Sequence, residues 1–315
     1  MISTNWNIPG DDFSQMALEN LGGLLNYRKV CGLVGAGVAA RLGFPNWVRL
    51  LDMMGNELRR LGVADQELRM LTSQKDALWR AEEYRRLFGE KRYHQFLHST
   101  FTDARAISPV PEILHDIIGL NWKHVFTTNY DRSLELAHMA RYVDQPNANV
   151  LDWKDRDAVR DFLSLVNSEQ LERNYIHLHG HFGKPNEIVL SYQDYVRTYI
   201  QSDEMVERLF VLFSTQSFAF IGFSLEDPDF VQILRQVNSR LGNCSRTAHF
   251  AILPASPGDP LQIERRRLVG KYDVEPIFYR HEPGDDHVEL WSVVKNLLDL
   301  QNPLFPRVRE EKNNE

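Results

Sequence analysis

The sequence predicts an α/β fold: a Rossmann-like, doubly wound and mostly parallel sheet with an inserted helical subdomain. Three observations predict it. Short apolar runs, of which Val30–Val34 is the first, alternate along the chain with segments of helical periodicity. The first run stops at the turn Gly35-Ala36-Gly37, as a strand does before a helix. A long, purely helical stretch then separates this run from the next one.

The first third of the chain is predicted to hold one strand among helices. A helix over residues 13–27 follows two aspartates, which are favourable at a helix N-terminus, and it leads into the first strand. A short helix over residues 38–42 ends at Gly43. The pattern is then helical only, and we expect an inserted helical subdomain over about residues 47–120 beside a ligand cleft.

The rest of the chain alternates strands and helices. Strands rich in β-branched and aromatic residues are predicted at residues 123–128, 175–179, 187–190, 218–221, 247–253 and 274–279. Helices are predicted at residues 131–139, 158–166, 192–199, 203–214, 227–241 and 285–300. Residues 141–155 predict a long polar loop and residues 301–315 a polar, frayed tail. One nucleotide-binding domain is therefore expected over residues 1–300.

The composition is that of an ordinary soluble globular protein. The chain has 315 residues, of which 43% are hydrophobic and 25% charged. The formal charge of -7 argues against a chain that covers nucleic-acid phosphates, so no direct nucleic-acid binding is expected.

Cysteine usage and the N-terminus indicate a cytoplasmic protein. Cys31 and Cys244 are the only cysteines, which is too few for a disulfide framework or a cysteine zinc site. The N-terminus lacks the basic and apolar regions of an export signal, and polar residues interrupt the longest apolar stretch. We therefore expect a cytoplasmic location and no membrane span.

Polar or glycine-rich turns follow four of the predicted strands. Ligands of doubly wound sheets bind beyond the carboxyl ends of the strands, so these turns are expected to gather around one ligand. The four turns are Gly35-Ala36-Gly37, Thr127-Thr128-Asn129-Tyr130-Asp131, His179-Gly180 and Gly222-Phe223-Ser224.

The first turn has the features of a phosphate-binding turn. The missing Cβ atoms of Gly35 and Gly37 would let the backbone approach a ligand, and the helix beginning at Val38 would face an anion such as pyrophosphate. The spacing with Ala40 fits the dinucleotide fingerprint, although the acidic ribose partner expected about 20 residues later does not end a second strand. The alternative is a glycine turn needed only for a tight connection.

The second turn carries side chains suited to a nucleotide. Thr128, Asn129 and Asp131 would project into the cleft. An asparagine can orient a ribose hydroxyl or a water molecule, and an aspartate can accept a hydrogen bond from a carboxamide. The alternative is plain helix capping by Asn129 or Asp131.

The third turn offers a candidate general base, His179, which could also orient a ligand by hydrogen bonding. His177, His179 and His181 share a period of two, which raises the possibility of a metal site on one face of a strand. Gly180 is expected to break the strand before His181, and no carboxylate cluster completes a site, so no metal is expected. A buried core histidine is the remaining alternative.

The fourth turn contains Gly222 and Ser224, where the backbone would pass close to a nucleotide ribose or phosphate and the hydroxyl would donate. The chain has neither a Walker-type phosphate loop nor a Gly-x-Ser-x-Gly nucleophile elbow. ATPase and serine hydrolase activities are therefore not expected.

Taken together, these motifs resemble, in order and spacing, those of the sirtuin superfamily, and the match runs from Lys29 to about Leu253. The matching segments are G-A-G-V-A-A-R-L-G-F-P-N-W, T-T-N-Y-D, L-H-G-H-F and I-G-F-S-L. The resemblance is closest to the sirtuin-like domains of bacterial anti-phage defence systems. Sirtuin deacylases carry a four-cysteine zinc module between the catalytic histidine and the Gly-x-Ser turn, whereas this chain has no cysteine between His179 and Gly222.

The chain also departs from the deacylases within the motifs. Thr128 stands where they have glutamine, Asn46 and Trp47 stand where they have aspartate and phenylalanine, and Ala39 stands where serine is frequent.

The resemblance implies a role for each motif. Gly35, Ala36 and Gly37, with Val38, would hold the pyrophosphate of NAD⁺, and Trp47 would lie near the nicotinamide ribose. Asn129 would position the ribose or a water molecule, beside Thr128, and Asp131 would bind the carboxamide. His179 would contact the ribose hydroxyls. Gly222, Phe223 and Ser224 would bind the adenosine half.

The expected activity is that of an NAD⁺ glycohydrolase, which splits NAD⁺ into nicotinamide and ADP-ribose and serves anti-phage defence by NAD depletion. Because such an enzyme is toxic when always active, we expect control by homo-oligomer assembly or by a separate sensor, ATPase or nuclease subunit. Two alternatives use the same site. One is a protein deacylase or ADP-ribosyltransferase, and the other is a non-catalytic module that senses NAD⁺ or ADP-ribose.

Overall fold

The structure is a computed structural model that describes residues 8, 11–40, 42–102, 110–144, 147–168, 172–223, 225, 228–241, 249–282 and 287–301. Its strands are β1 (Val30–Val34), β2 (Val125–Thr127), β3 (Asn149–Leu151), β4 (Asn174–His177), β5 (Ser217–Ile221), β6 (His249–Ala255) and β7 (Val274–Arg280). They form one seven-stranded sheet in the order β3-β4-β2-β1-β5-β6-β7, and every pairing is parallel. The predicted doubly wound α/β fold is confirmed.

Helices connect these strands. The first seven are α1 (Asp12–Asn26), α2 (Ala36–Ala40), α3 (Trp47–Arg60), α4 (Asp65–Thr72), α5 (Ala77–Phe88), α6 (Glu90–Phe101) and α7 (Glu112–Gly119). The second seven are α8 (Ser133–Arg141), α9 (Arg156–Leu165), α10 (Tyr192–Tyr195), α11 (Asp203–Thr215), α12 (Pro228–Leu241), α13 (Leu261–Tyr272) and α14 (Val288–Leu300). None of the helices within the described ranges combines the length and apolar character that a membrane span requires.

Alternation along the central strands builds a core on each face of the sheet. In β1, Val30 and Val34 contribute to one core together with residues of α1, α7, α8 and α14. Cys31 and Leu33 contribute to the other, together with residues of α9, α11, α12 and α13. Because β1 is buried on both faces, it reads as a continuous apolar run rather than an alternating one.

A third core lies within the helical stretch. Helices α3 to α6 supply most of its buried side chains, and Tyr130 and Phe182 from turns of the sheet complete it. Helix α7 lies inside the stretch that predicts the insertion, yet its apolar side chains pack in the core against the sheet. Helices α3 to α6 therefore form the separate core, and the last of them ends at Phe101.

Two strand predictions differ from the structure. Residues 187–190 are not a strand, because Pro185–Glu187 forms a 3₁₀ turn. Strand β3 lies instead within the predicted loop 141–155. Its side chains are exposed or half-buried, so its sequence has no apolar pattern. Strand β3 forms through backbone pairing with β4 at the edge of the sheet. Helix α13 was also not predicted.

The structure describes little of the C-terminal end of the chain. Of the predicted tail 301–315, only Gln301 is among the described residues, and its side chain accepts a hydrogen bond from the backbone of Asn121.

Candidate active site

The carboxyl ends of four neighbouring strands meet at one edge of the sheet. Strands β4, β2, β1 and β5 lie side by side and run parallel, so the turns that follow them share this edge. The chain fills one side of β1 with β2 to β4 and then crosses to the other side with β5, so the strand order reverses between β1 and β5. Such a reversal is where doubly wound sheets bind their ligands.

The turn after β1 packs backbone to backbone against the turn after β5. The N–H of Gly35 donates to the carbonyl of Ile221 at 2.9 Å, and that of Gly37 to the carbonyl of Gly222 at 2.9 Å. A Cβ atom built on Gly35 would lie 2.4 Å from the Gly222 carbonyl oxygen. At Gly35, the space left by the missing Cβ is therefore filled by the neighbouring turn rather than open to a ligand.

Helix α2 begins at Ala36, two residues before the predicted start. The N–H of Val38 donates to the carbonyl of Gly35 at 3.2 Å, and its side chain is buried in the core. The N–H groups of Gly35, Gly37 and Val38 thus bind protein carbonyls rather than facing an anion, because donors in a tight turn pair with nearby acceptors. Ala36 is half-buried and Gly37 is exposed at the mouth of the turn.

Asn129 is the most firmly held side chain of the second turn. Its backbone N–H donates to Thr127 Oγ1 at 3.0 Å, and its side-chain Nδ2 donates to the carbonyl of Gly35 at 3.2 Å. Thr127 Oγ1 in turn donates to the carbonyl of Val34. The Oδ1 atom of Asn129 is buried and has no hydrogen-bond partner among the described residues. Asn129 therefore joins β2 to β1 and retains one acceptor for a ligand.

Asp131 precedes Arg132, the N-cap residue of α8, and its side chain binds the start of that helix. Its Oδ1 accepts a hydrogen bond at 2.9 Å from the N–H of Ser133, the first residue of α8. The side chain is 3% exposed, and burial raises the pKa of Asp131 against the opposing effect of the Ser133 hydrogen bonds. This contact accounts for one carboxylate oxygen, although Asp131 is not itself the N-cap residue.

His179 lies in an aromatic enclosure just beyond β4. Its ring meets the rings of Tyr195, Tyr199 and Phe230 edge-on, with centroid distances of 5.6, 5.9 and 6.0 Å. Phe230 also contacts Phe223 at 5.6 Å. Aromatic packing therefore connects the turn after β4 to the turn after β5, and His179 is 4% exposed.

The three alternating histidines do not share one face. Strand β4 ends at His177, earlier than predicted, and the chain turns before His179. The rings of His177 and His181 are 5.6 Å apart, whereas the ring of His179 faces the aromatic enclosure. Over the described ranges, no three histidine, cysteine, aspartate or glutamate side chains are grouped as a metal site requires.

Sequence reasoning missed a buried pair beneath this site. His177 Nε2 lies 2.6 Å from Glu135 Oε1, and His177 Nδ1 lies 3.0 Å from the backbone carbonyl of Asn129. The side chains are 5% and 1% exposed. The sequence signal is weak, because an acidic residue in the first turn of α8 is ordinarily explained by the helix dipole.

The remaining predicted site residues lie around this edge. Thr128 is half-buried beside Asn129. Trp47 is the first residue of α3 and packs partly buried against the helical core, while Asn46 caps that helix by accepting from the N–H of Arg49 at 2.9 Å. Ser224 lies outside the described residues.

A cavity of about 350 Å³ lies elsewhere, near the carboxyl end of β3. Its wall includes Trp153, Asp194 and Arg208, and none of the predicted site residues lines it.

Sequence comparisons relate the chain to SIR2-like proteins. The family model of the SIR2-like domain matches residues 123–277. The chain is 26% identical over 293 residues to defense-associated sirtuin 2 of Bacillus subtilis, an alignment that covers 86% of this chain and 25% of that protein. It is 25% identical over 233 residues to NAD(+) hydrolase ThsA of Bacillus cereus (strain MSX-D12), covering 73% of this chain and 44% of the hydrolase.

A second protein named NAD(+) hydrolase ThsA, from Cytobacillus dafuensis, is 27% identical over 221 residues, covering 67% of this chain and 38% of that protein. The chain thus spans from a quarter to less than half of the length of each of these relatives. The resemblance to the sirtuin superfamily is thus confirmed, and the SIR2-like match covers the second, third and fourth of the turns described above.

Proposed function

We propose that this chain is an NAD⁺ glycohydrolase domain that hydrolyses the nicotinamide–ribose bond. One observation carries the proposal: Asn129 bridges the ends of β2 and β1, next to the reversal of strand order between β1 and β5, and keeps a buried acceptor unpaired among the described residues. The two relatives named NAD(+) hydrolase support the substrate.

In the proposed binding mode, the dinucleotide lies along the four turns. The turn formed by Gly35, Ala36, Gly37 and Val38 contacts the pyrophosphate through the half-buried Ala36 and the exposed Gly37. Gly35 and Val38 are buried, and their N–H groups and that of Gly37 already donate to protein carbonyls. Gly222, Phe223 and Ser224 contact the adenosine half. Trp47, Thr128 and Asp131 surround the nicotinamide end. The exposed Gly37 and the half-buried Ala36, Thr128 and Phe223 are consistent with this assignment.

The proposed chemistry needs no metal. As the glycosidic bond breaks, nicotinamide leaves with the bonding electron pair and the ribose becomes oxocarbenium-like. Water then attacks the ribose carbon and loses one proton, which His179 accepts and passes to solvent. Asn129 Oδ1 orients the water or a ribose hydroxyl, and a fixed dipole at this point lowers the barrier because it needs no reorganisation.

We further propose that the reaction serves anti-phage defence by NAD depletion in the cytoplasm, as the name of the Bacillus subtilis relative suggests. Control would come from a homo-oligomer or from a complex with a separate sensor, ATPase or nuclease subunit. The helical subdomain is the proposed regulatory surface, because its core includes Tyr130 of the Asn129 turn.

The test is nicotinamide release from NAD⁺, followed by chromatography. The purified protein is incubated alone and with the products of neighbouring genes. Asn129→Ala and His179→Ala are each expected to slow release by about 100-fold or more, because each removes a group that acts in the transition state. Asn20→Ala, which changes an exposed asparagine of α1 outside the helical subdomain, is the matched control and should leave the rate unchanged.

Release by both variants at the parent rate would refute the assigned roles. Turnover of NAD⁺ that requires an acylated peptide would favour the deacylase alternative. Turnover that requires a peptide to accept ADP-ribose would favour the ADP-ribosyltransferase alternative. NAD⁺ binding without turnover under every condition would favour the sensing module.

A further inference from the structure

The buried pair His177–Glu135 lies directly behind the candidate site. His177 ends β4, and Glu135 is the third residue of α8, so the contact joins the sheet to the helix that follows the Asn129 turn. The two side chains are almost completely buried, and their N–O distance is 2.6 Å. A buried carboxylate destabilises the folded state unless it is paired, so stability depends on the contact between Glu135 and His177.

Both ring nitrogens of His177 are committed. A backbone carbonyl can only accept, so Nδ1 must donate its proton to the Asn129 carbonyl at 3.0 Å. Burial disfavours a charged imidazole, but the Glu135 carboxylate outweighs this effect and raises the pKa of His177. Burial likewise opposes the charge of Glu135, yet His177 holds the pKa of Glu135 below its usual range. The pair is therefore an imidazolium beside a carboxylate, with both nitrogens donating.

Asn129 is the group that this pair holds. Thr127 binds its backbone N–H, Gly35 binds its side-chain Nδ2, and His177 binds its backbone carbonyl. Three of its polar groups are thus fixed from three directions. Release of the Asn129 carbonyl would free the turn 128–131 to shift relative to β4 and carry Oδ1 with it, and a misplacement of about 1 Å in a catalytic group can cost roughly 100-fold in rate.

We propose that His177, supported by Glu135, is a positioning residue that fixes the backbone of Asn129 and so holds Asn129 Oδ1 in place for the reaction. This inference rests on the proposed NAD⁺ hydrolysis. His177 does not contact the substrate, because both of its nitrogens bind protein groups.

Two amide substitutions separate the two contacts of His177. In His177→Asn, the amide nitrogen takes the place of Nδ1 and can still donate to the Asn129 carbonyl, but Glu135 loses its donor. In His177→Gln, the amide nitrogen takes the place of Nε2 and can still donate to Glu135, but the Asn129 carbonyl loses its donor. The two variants are matched in chemistry and are both smaller than the parent side chain.

The positioning role predicts opposite orders of stability and activity. His177→Asn should have the lower urea midpoint, because it leaves a buried carboxylate without a donor. His177→Gln should have the lower kcat, by about 100-fold, with KM within about threefold of the parent, since orientation rather than binding is lost. Glu135→Gln in the His177→Asn background should restore the urea midpoint and keep kcat near that of His177→Asn.

A purely structural role predicts that activity falls with stability, so a His177→Gln variant at least as active as His177→Asn would overturn the proposal. Hydrogen exchange of the segment 128–131 provides a readout that does not depend on activity. Faster exchange in His177→Gln than in His177→Asn is expected even if the parent releases no nicotinamide. Equal rates of hydrogen exchange in the two variants would refute the positioning role. If the exchange rates differ but the parent protein releases no nicotinamide, only the proposed hydrolysis is refuted.

Discussion

At the scale of single residues, the site is built on backbone contacts that tolerate no extra atom. Gly35 and Gly222 approach each other so closely that the space for one Cβ is taken by a carbonyl oxygen. Gly222 also has a φ of +62°, which residues with a side chain rarely adopt. The two strand ends at the reversal of strand order are therefore locked together by glycine, whatever the site binds.

We expect Gly35→Ala to destabilise the fold by about 1–3 kcal/mol, because the new methyl group would lie 2.4 Å from a backbone oxygen that has little freedom to move. Gly23→Ala is the matched control: it lies exposed in α1 with nothing within 4 Å of the added Cβ, so it should stabilise by about 0.5–1 kcal/mol. Urea unfolding measures both. A neutral Gly35→Ala would mean that the two turns can separate freely.

At the scale of elements, one buried carboxylate ties the helical subdomain to the segment after β4. Asp194 of α10 accepts hydrogen bonds from Ser191 in a capping box and pairs with Arg85 of α5 at 2.9 Å. Arg197 also contacts it. Asp194 is 4% exposed, so its charge depends on these partners.

Stability should depend on the ionisation of Asp194. Burial alone would raise the pKa of Asp194, but the Ser191 hydrogen bonds and the Arg85 charge outweigh burial and lower it below its usual value of 3.8. A lowered folded-state pKa contributes stability that is present above the unfolded-state pKa and is lost as the pH falls through the folded-state pKa. The contribution should therefore be complete at neutral pH and disappear only in acid.

We expect Asp194→Asn to lower the free energy of unfolding by about 1–3 kcal/mol at pH 7, since a charged group loses its hydrogen bonds. The difference from the parent should begin to shrink below about pH 4, where the unfolded-state carboxylate takes up a proton, and should vanish once the pH falls below the lowered folded-state pKa of Asp194. Glu57→Gln removes an exposed pair with Arg60 and should change stability by less than about 1 kcal/mol at any pH. A difference that does not vary with pH would contradict the role of the charge.

At the scale of the whole molecule, Tyr130 from the turn after β2 lies in the separate core of the helical subdomain. Phe101 of α6 meets Tyr130 edge-on at 5.3 Å and stacks on Phe44 at 6.2 Å. The Tyr130 hydroxyl donates to the carbonyl of Val189 at 2.8 Å, so the same residue also joins the turns after β2 and β4. The helical subdomain is thus connected to the Asn129 turn through Tyr130.

We expect Phe101→Ala to lower the free energy of unfolding by about 3–5 kcal/mol, because it leaves a cavity beside Tyr130 in the core of the helical subdomain. Trp79→Ala is the control: this side chain of α5 is 40% exposed, so its loss should lower the free energy of unfolding by less than about 1 kcal/mol. Near- and far-ultraviolet circular dichroism during urea unfolding should give coincident transitions in the parent. Separate transitions would show that the helices unfold on their own.

The sequence by itself determined the fold class and most of the elements. Strand β1 agrees with its prediction at both ends, and the segments around Thr127, His177 and Ile221 were each assigned to strands that end at a polar or glycine turn. These features are local, because the period of apolar residues and the preferences of glycine do not depend on distant parts of the chain. The prediction that the four turns share one edge follows from parallel strands alone.

Tertiary structure alone decided what each site residue contacts. His177 and Glu135 are 42 residues apart, and Asn129 and Gly35 are 94 apart. The position of β3 at the sheet edge and the early end of β4 likewise depend on pairing with distant strands. Such contacts follow from how separate segments pack, and no local pattern records them, because a buried histidine or a close pair of glycines is formed only when both partners are brought together.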